Sequence, residues 1–94
     1  MAETAGGSAW QRYFQNWPKD VPTRGIVVTS FGDQVPFDGF LSNDGMLLLE
    51  RKTPDNMGAR KVLMAFQDVL AVKFVDLIRG RAFESAGFAG KLKD

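Results

Sequence analysis

The chain has 94 residues, of which 45% are hydrophobic, and this size allows one folded domain with a single core. It contains neither cysteine nor histidine, which excludes disulfides and thiolate metal sites and removes the commonest general base and metal ligand. The formal net charge of +1 gives the whole molecule no strong attraction to nucleic acid or acidic membranes, so a basic binding surface would have to be local.

An amphipathic helix is predicted near the start of the chain, after a flexible tail over residues 1–7. It should run from Ser8 to Trp17, because Ser8 and Gln11 fit a capping box and Pro18 disfavours helical geometry in the residue before it. Four aromatic side chains share one face of this helix: Trp10, Tyr13, Phe14 and Trp17. A helix this short is marginally stable alone, so we expect that face to pack on the domain. An aromatic face that binds a partner or stacks on bases is the alternative.

Short strands separated by tight turns are predicted between residues 24 and 76. The five strands are residues 25–31, 35–42, 46–52, 59–66 and 69–75. Parallel strands need long crossover connections, so strands joined this tightly are antiparallel. The expected fold class is mainly β, with an N-terminal helix followed by a five-stranded, strongly bent antiparallel sheet or small barrel. We place a single domain at residues 8–78 and a C-terminal tail at residues 79–94.

The alternation of apolar and polar residues in the second strand predicts which side chains point inward. Its apolar face carries, in order, Val35, Phe37, Gly39 and Leu41. Phe40 falls on the opposite, polar face, so we expect its ring to be exposed at an interface or as a stacking platform. A glycine at position 39 allows the sharp bend that a small barrel needs.

The first and third strands indicate self-association. Residues 26–28 and 46–49 are continuously apolar, which gives more hydrophobic surface than one side of a five-stranded sheet can bury. The fourth and fifth strands have no proline or run of charges to protect a free edge. We therefore expect a homo-oligomer, a closed ring or a dimer, whose interface covers Leu63, Leu70 and Val72.

A basic cluster flanks the longest loop of the domain, residues 53–58. The candidate nucleic-acid-binding residues are the four members of this cluster together with the aromatic ring noted above: Arg51, Lys52, Arg60, Lys61 and Phe40. The functional interpretation is a rim that contacts phosphates, repeated around an axis if the chain forms a ring. The alternative is a solvated hairpin tip whose charges keep a sheet edge soluble.

The order of these elements resembles the Sm-like superfamily, and within it the bacterial Hfq branch, over roughly residues 8–75. The features that carry the resemblance are the helix before Asp20-Val21-Pro22, Gly32, Gly39-Phe40-Leu41, Asp44 and the apolar residues 46–49. The resemblance implies five bent strands, ring assembly and RNA as the ligand. The chain departs from the family at Phe66-Gln67, where Hfq-type proteins have a Lys-His pair that contacts RNA. The connection from Gly39 to the third strand is also shorter than in the family.

No catalytic residue, metal site or cofactor is expected. Asp33 and Asp44 lie in predicted turns, where aspartate commonly bonds its own backbone, and no loop has the oxygen-ligand spacing of a calcium or magnesium site. Two function classes remain. One is a non-catalytic, self-assembling Sm-like barrel that binds a ligand, with RNA implied by the resemblance. The other is an SH3-like adaptor that holds a protein partner by a sheet edge or an aromatic groove.

A membrane partner is not expected. No apolar run approaches the roughly 20 residues of a membrane span. The first residues also lack the pattern of a positively charged region followed by an apolar one that marks a secretory signal. We therefore expect a cytoplasmic protein.

Overall fold

The computed structural model describes residues 5–93 and shows a mainly β fold that begins with one helix. Helix α1 spans Ala5–Gln15. The strands are β1 Arg24–Thr29, β2 Gln34–Asp38, β3 Phe40–Ser42, β4 Met46–Glu50, β5 Lys61–Ala65 and β6 Val69–Lys73. They form two three-stranded antiparallel sheets, a first sheet in the order β2-β1-β6 and a second sheet in the order β3-β4-β5. No helix in the described range is long and apolar enough to cross a membrane.

The predicted second strand, residues 35–42, is divided between the two sheets at Gly39. This glycine has a φ of +104°, in the left-handed region that side chains rarely adopt. Its N–H donates to the carbonyl of Thr23 at 2.7 Å, and its own carbonyl accepts from the N–H of Glu50 at 3.0 Å. The backbone thus passes from one sheet into the other within a single residue. The structure therefore has six strands where the sequence predicted five.

Within residues 5–93 the two sheets do not close into a barrel. The last strand of each sheet, β5 in one and β6 in the other, pairs with a neighbour on one side only. A short 3₁₀ turn, Phe66–Asp68, joins these two strands. The small barrel that the sequence analysis offered as one alternative is therefore not formed. The antiparallel pairing that it predicted is confirmed for every strand pair in the two sheets.

Helix α1 starts earlier than predicted. Residues 5–7, assigned above to a flexible tail, are helical, and residues 1–4 of that predicted tail lie outside the described range. Ser8 therefore lies inside the helix, and the predicted N-cap at this residue is wrong. The helix also ends at Gln15, before the predicted end at Trp17.

Gln11, expected to complete the capping box, instead ties the helix to the turn before β4. Its Nε2 donates to Oδ1 of Asp44 at 2.7 Å, and its Oε1 accepts from the N–H of Gly45 at 2.9 Å. The backbone N–H of Gly45 therefore has an acceptor, as a partly buried donor requires. This pair of bonds sets the position of the helix over the second sheet.

The aromatic face of α1 packs on the core, which confirms the prediction from its spacing. The side chain of Phe14 is 2% exposed, and its ring centroid lies 4.8 Å from that of Phe40 and 5.8 Å from that of Phe66. Nε1 of Trp17 donates to the carbonyl of Val21 at 2.9 Å, so the indole is anchored at its polar edge. The rest of the buried cluster comes from both sheets and the turn after β5: Val27, Val35, Phe37, Leu47, Leu49, Met64, Phe66 and Val69.

The segment after β6 turns back toward α1, where the sequence analysis placed a C-terminal tail. Arg24 holds the start of this segment to β1, because its Nε and Nη2 donate to the two carboxylate oxygens of Asp76 at 2.9 and 2.6 Å. Farther on, a 3₁₀ helix spans Gly80–Ala86. The ring of Phe88 then lies 6.3 Å from that of Tyr13, measured between centroids. This contact places Phe88 beside the helix.

We expect Phe14→Ala to lower the free energy of unfolding by about 3–5 kcal/mol, because it removes a large buried ring and leaves a cavity. Phe31→Ala is the matched control, since Phe31 is 67% exposed and its loss should change stability by less than about 0.5 kcal/mol. Urea denaturation measures both variants. Equal losses would contradict the packing of α1 on the two sheets.

Tyr13 makes stability depend on alkaline pH. Its hydroxyl is buried without a hydrogen-bond partner among the described residues, and burial raises the pKa of Tyr13 to about 12. Because the pKa of Tyr13 is higher in the folded state, its neutral hydroxyl contributes to the free energy of unfolding. This contribution is complete below the unfolded-state pKa of about 10 and is lost as the pH rises through the folded-state pKa.

Tyr13 is the only tyrosine in the chain, so an absorbance titration of tyrosinate reports on this group alone. We expect a midpoint near 12 for the folded protein and near 10 in denaturant, about the unperturbed value. Tyr13→Phe removes the unpartnered hydroxyl and should leave stability unchanged or raise it. A folded-state midpoint at the ordinary value would show that the hydroxyl is solvated.

Candidate functional site

The basic cluster predicted from the sequence lies at the open end of the β4–β5 hairpin. The N–H of Arg51 donates to the carbonyl of Arg60 at 2.8 Å, so these two residues face each other across the hairpin. One position nearer the sheet, Glu50 pairs with Lys61, and their charged groups lie 3.6 Å apart. Both side chains are exposed, so this ion pair contributes little stability. Lys52 and Arg60 are also exposed, and their charges face solvent.

The loop between these basic residues is ordered by Asp55. Its Oδ1 accepts hydrogen bonds from the N–H groups of Met57 at 2.9 Å and Ala59 at 2.8 Å. These bonds lower the pKa of Asp55 below its usual value, and the bond from Ala59 has the largest effect. The positive charge of Arg51 lowers it further. An ionised carboxylate thus sits among the cations. Nε of Arg51 donates to the carbonyl of Thr53 at 3.1 Å, which fixes one guanidinium against the loop.

Phe40 does not belong to this basic surface. The exposed ring expected from strand parity is not found, because the bend at Gly39 shifts the alternation by one residue. Phe40 is half-buried, and its centroid lies 4.8 Å from that of Phe14 and 5.1 Å from that of Trp17. Leu41, expected to point inward, is instead exposed. The side chain of Phe40 thus lies beneath the helix, against Phe14 and Trp17.

The three predicted interface residues occupy different environments. Leu63 on β5 and Leu70 on β6 are each 62% exposed, and each lies on the end strand of its sheet. Val72, by contrast, is partly buried and packs against the core, opposite Val27. The reason is an irregularity in the β1–β6 ladder, where Leu70 is an extra residue on β6. The side chains after it therefore point to the opposite face from the one that strict alternation predicts. Two of the three side chains are therefore available at the surface.

A row of leucines crosses the outer face of the second sheet, and the sequence analysis missed it. The strand registers align Leu41 with Leu48 and Leu48 with Leu63. The outer two members are exposed, and the middle one is half-buried. Leu41 was missed because the alternation shifts after Gly39 and had placed this residue in the core, whereas Leu63 had been assigned to a subunit interface. Such a contiguous apolar patch on a small domain is typical of an interaction surface.

Acidic side chains do not assemble into a metal site in the described part of the chain. No three carboxylate side chains there lie close enough to hold a metal ion. Asp44 instead accepts the hydrogen bond from Gln11 described above, and Asp38 lies in β2 on the exposed side. The aspartates thus take part in local structure, as turn and strand residues.

Comparison of the chain with protein-family models, curated proteins and solved structures finds no match. The resemblance to the Sm-like superfamily accordingly stays a prediction. Three surfaces bear on function: the basic hairpin, the open edges of β5 and β6, and the leucine row.

Proposed function

We propose that this chain is a non-catalytic, self-assembling Sm-like module whose copies join through the edges of β5 and β6 and whose assembly binds RNA. The observation that supports this proposal is that, among residues 5–93, each end strand has one edge without a paired strand, and each presents a leucine that is 62% exposed. Unpaired backbone groups on a strand edge are a template for a further strand, and no proline or charge run blocks either edge.

The strand order supports the Sm-like part of the proposal. When β2 and β3 are counted as one strand bent at Gly39, the order across both sheets is β6-β1-β2/β3-β4-β5. The two end strands are then consecutive in the chain and are linked by the turn Phe66–Asp68. An N-terminal helix followed by five bent antiparallel strands is the arrangement that the resemblance implies.

Pairing β5 of one copy with β6 of the next would satisfy the free backbone groups of both edges. It would also cover Leu63 and Leu70, and burying a leucine fully contributes about 1.5–3 kcal/mol. Because the two edges differ, this contact is head-to-tail, and a head-to-tail contact forms a ring when its rotation closes. We therefore favour a ring over a dimer.

Two features support RNA as the ligand: the resemblance to the Sm-like superfamily and the basic hairpin. A ring would repeat Arg51, Lys52, Arg60 and Lys61 around its axis. Such repetition multiplies weak phosphate contacts that a single copy cannot sustain with a net charge of +1. No catalytic step is assigned, because the sequence has neither histidine nor cysteine for a nucleophile–base pair.

The leucine row favours a second candidate, the SH3-like adaptor that holds a protein partner. Leu41, Leu48 and Leu63 form an apolar strip that a partner could cover without any ring. An adaptor of this kind would be a monomer or dimer and would purify without nucleic acid. The state of assembly therefore separates the two candidates.

We expect the wild-type protein to sediment as a multimer and Leu63→Lys to sediment as a monomer, because the new charge would be buried without a partner. Leu77→Lys is the matched control, since Leu77 is fully exposed and lies outside both end strands. Circular dichroism confirms that each variant is folded. A wild-type protein that stays monomeric at high micromolar concentration would rule out self-assembly and leave the adaptor.

We also expect Lys52→Gln and Arg60→Gln each to weaken the binding of single-stranded RNA. Each should reduce the slope of log affinity against log salt by about one, since each removes one phosphate contact. Lys19→Gln, in the connector before β1, should leave the slope unchanged. Fluorescence anisotropy over a salt series measures all three. Slopes identical to wild type would show that the hairpin is only a solvated tip.

A further inference from the structure

The C-terminal segment forms an open cleft that does not involve the basic hairpin or the strand edges. Its volume is about 860 Å³. Pockets of roughly 300–1,000 Å³ take ligands of small-molecule size. The lining consists of aromatic and apolar side chains, backbone at two glycines, and several charged groups: Phe74, Arg79, Gly80, Arg81, Phe83, Glu84, Phe88, Ala89, Gly90, Lys91 and Leu92. Most of these side chains remain exposed, so the cleft is an open groove and not an enclosed chamber.

Among the described residues that line the cleft, three carry a positive charge and one carries a carboxylate. Arg79, Arg81 and Lys91 are all exposed, and none forms an ion pair within 4 Å with another residue of the range 5–93. Glu84 supplies the opposing charge among the lining residues. The groove therefore carries an excess of positive charge, which is complementary to an anion. This excess is local, because the chain as a whole is nearly neutral.

The aromatic rings of the cleft form a chain that reaches the helix. Phe74 and Phe83 have centroids 5.3 Å apart, and Phe83 and Phe88 have centroids 6.2 Å apart, both with edge-to-face geometry. The last ring also contacts Tyr13 of α1. Phe88 is nevertheless 59% exposed and lines the cleft, so much of the residue is accessible to a ligand there. A held ring with a free face can stack on a flat ligand at little entropic cost.

We propose that this cleft binds a nucleotide unit of single-stranded RNA, with the base stacked on Phe88 and the phosphate met by Arg79, Arg81 and Lys91. A nucleotide offers a flat π-face and an anion within one unit, and the cleft offers the partners of both. An acidic peptide would use the cations and leave the ring face without a stacking partner. The acyl chain of an anionic lipid would remain exposed to water in an open groove.

This inference rests on the proposed function, because it takes RNA as the ligand of the assembly and adds the place where a base is held. The basic hairpin contributes charge alone, since the one aromatic residue assigned to it, Phe40, is half-buried beneath the helix. The cleft would supply the stacking that the hairpin lacks. Its contribution should therefore depend on the base as well as on salt.

The test is the binding of a fluorescently labelled oligouridylate to the full chain, followed by anisotropy. Phe88→Leu keeps an apolar side chain against Tyr13 but removes the stacking face, and we expect about tenfold weaker binding or more. Arg81→Gln should reduce the salt slope by about one. The matched controls are Phe31→Leu, at an exposed phenylalanine outside the cleft, and Arg12→Gln, at an exposed arginine on α1. Both should bind as wild type.

The outcomes separate the cleft from the proposed function. If the wild type binds the oligouridylate and Phe88→Leu and Arg81→Gln bind it with unchanged affinity and salt slope, the cleft is not the nucleotide site, and RNA binding itself stands. If the wild type does not bind the oligouridylate, both RNA binding by the assembly and nucleotide binding by the cleft are wrong. Binding of anionic vesicles or of an acidic peptide in that case would identify a different ligand for the cleft. Polyphosphate that competes as well as the RNA, together with an unaffected Phe88→Leu, would overturn base stacking. Sedimentation of the same variants shows whether assembly is retained.

Discussion

The bend at Gly39 is the constraint on which the rest of the structure depends. One stretch of chain donates to the first sheet through the N–H of Gly39 and accepts from the second sheet through its carbonyl. This is possible because a residue without a side chain adopts a φ of +104° without strain. The chain therefore passes directly from β2 of the first sheet to β3 of the second, and both sheets contribute side chains to one core. At the other end of each sheet, β5 and β6 have one edge without a paired strand among residues 5–93.

Helix α1 closes the side of the core that the sheets leave open. Phe14 and Phe40 meet there, so the residue that follows the bend is also the one that the helix covers. The same helix provides the ring of Tyr13, against which Phe88 of the C-terminal segment packs. The core and the C-terminal cleft are thus linked through one aromatic cluster. Assembly, in this account, uses the edges that the cluster does not cover.

The helix and the antiparallel strands could be predicted from the sequence because periodicity and turn residues are local signals. The orientation of Phe40 and Leu41 could not, since a positive φ at the preceding glycine shifts the alternation and reverses both side chains. Val72 is partly buried for a related reason, the extra residue in the β1–β6 ladder. The C-terminal cleft lies in a segment assigned from the sequence to a tail, and the contact that holds Phe88 against the distant Tyr13 has no local sequence signal.

The central claim is that copies of the chain join through the free edges of β5 and β6. Amide hydrogen exchange measured at several protein concentrations tests this claim most directly. Self-assembly predicts that amides of Lys61–Ala65 and Val69–Lys73 that point away from β4 and β1 become protected as concentration rises. Amides of β1 and β4, which lie inside their sheets, should show no such dependence. Edge amides that exchange rapidly at every concentration would contradict the account.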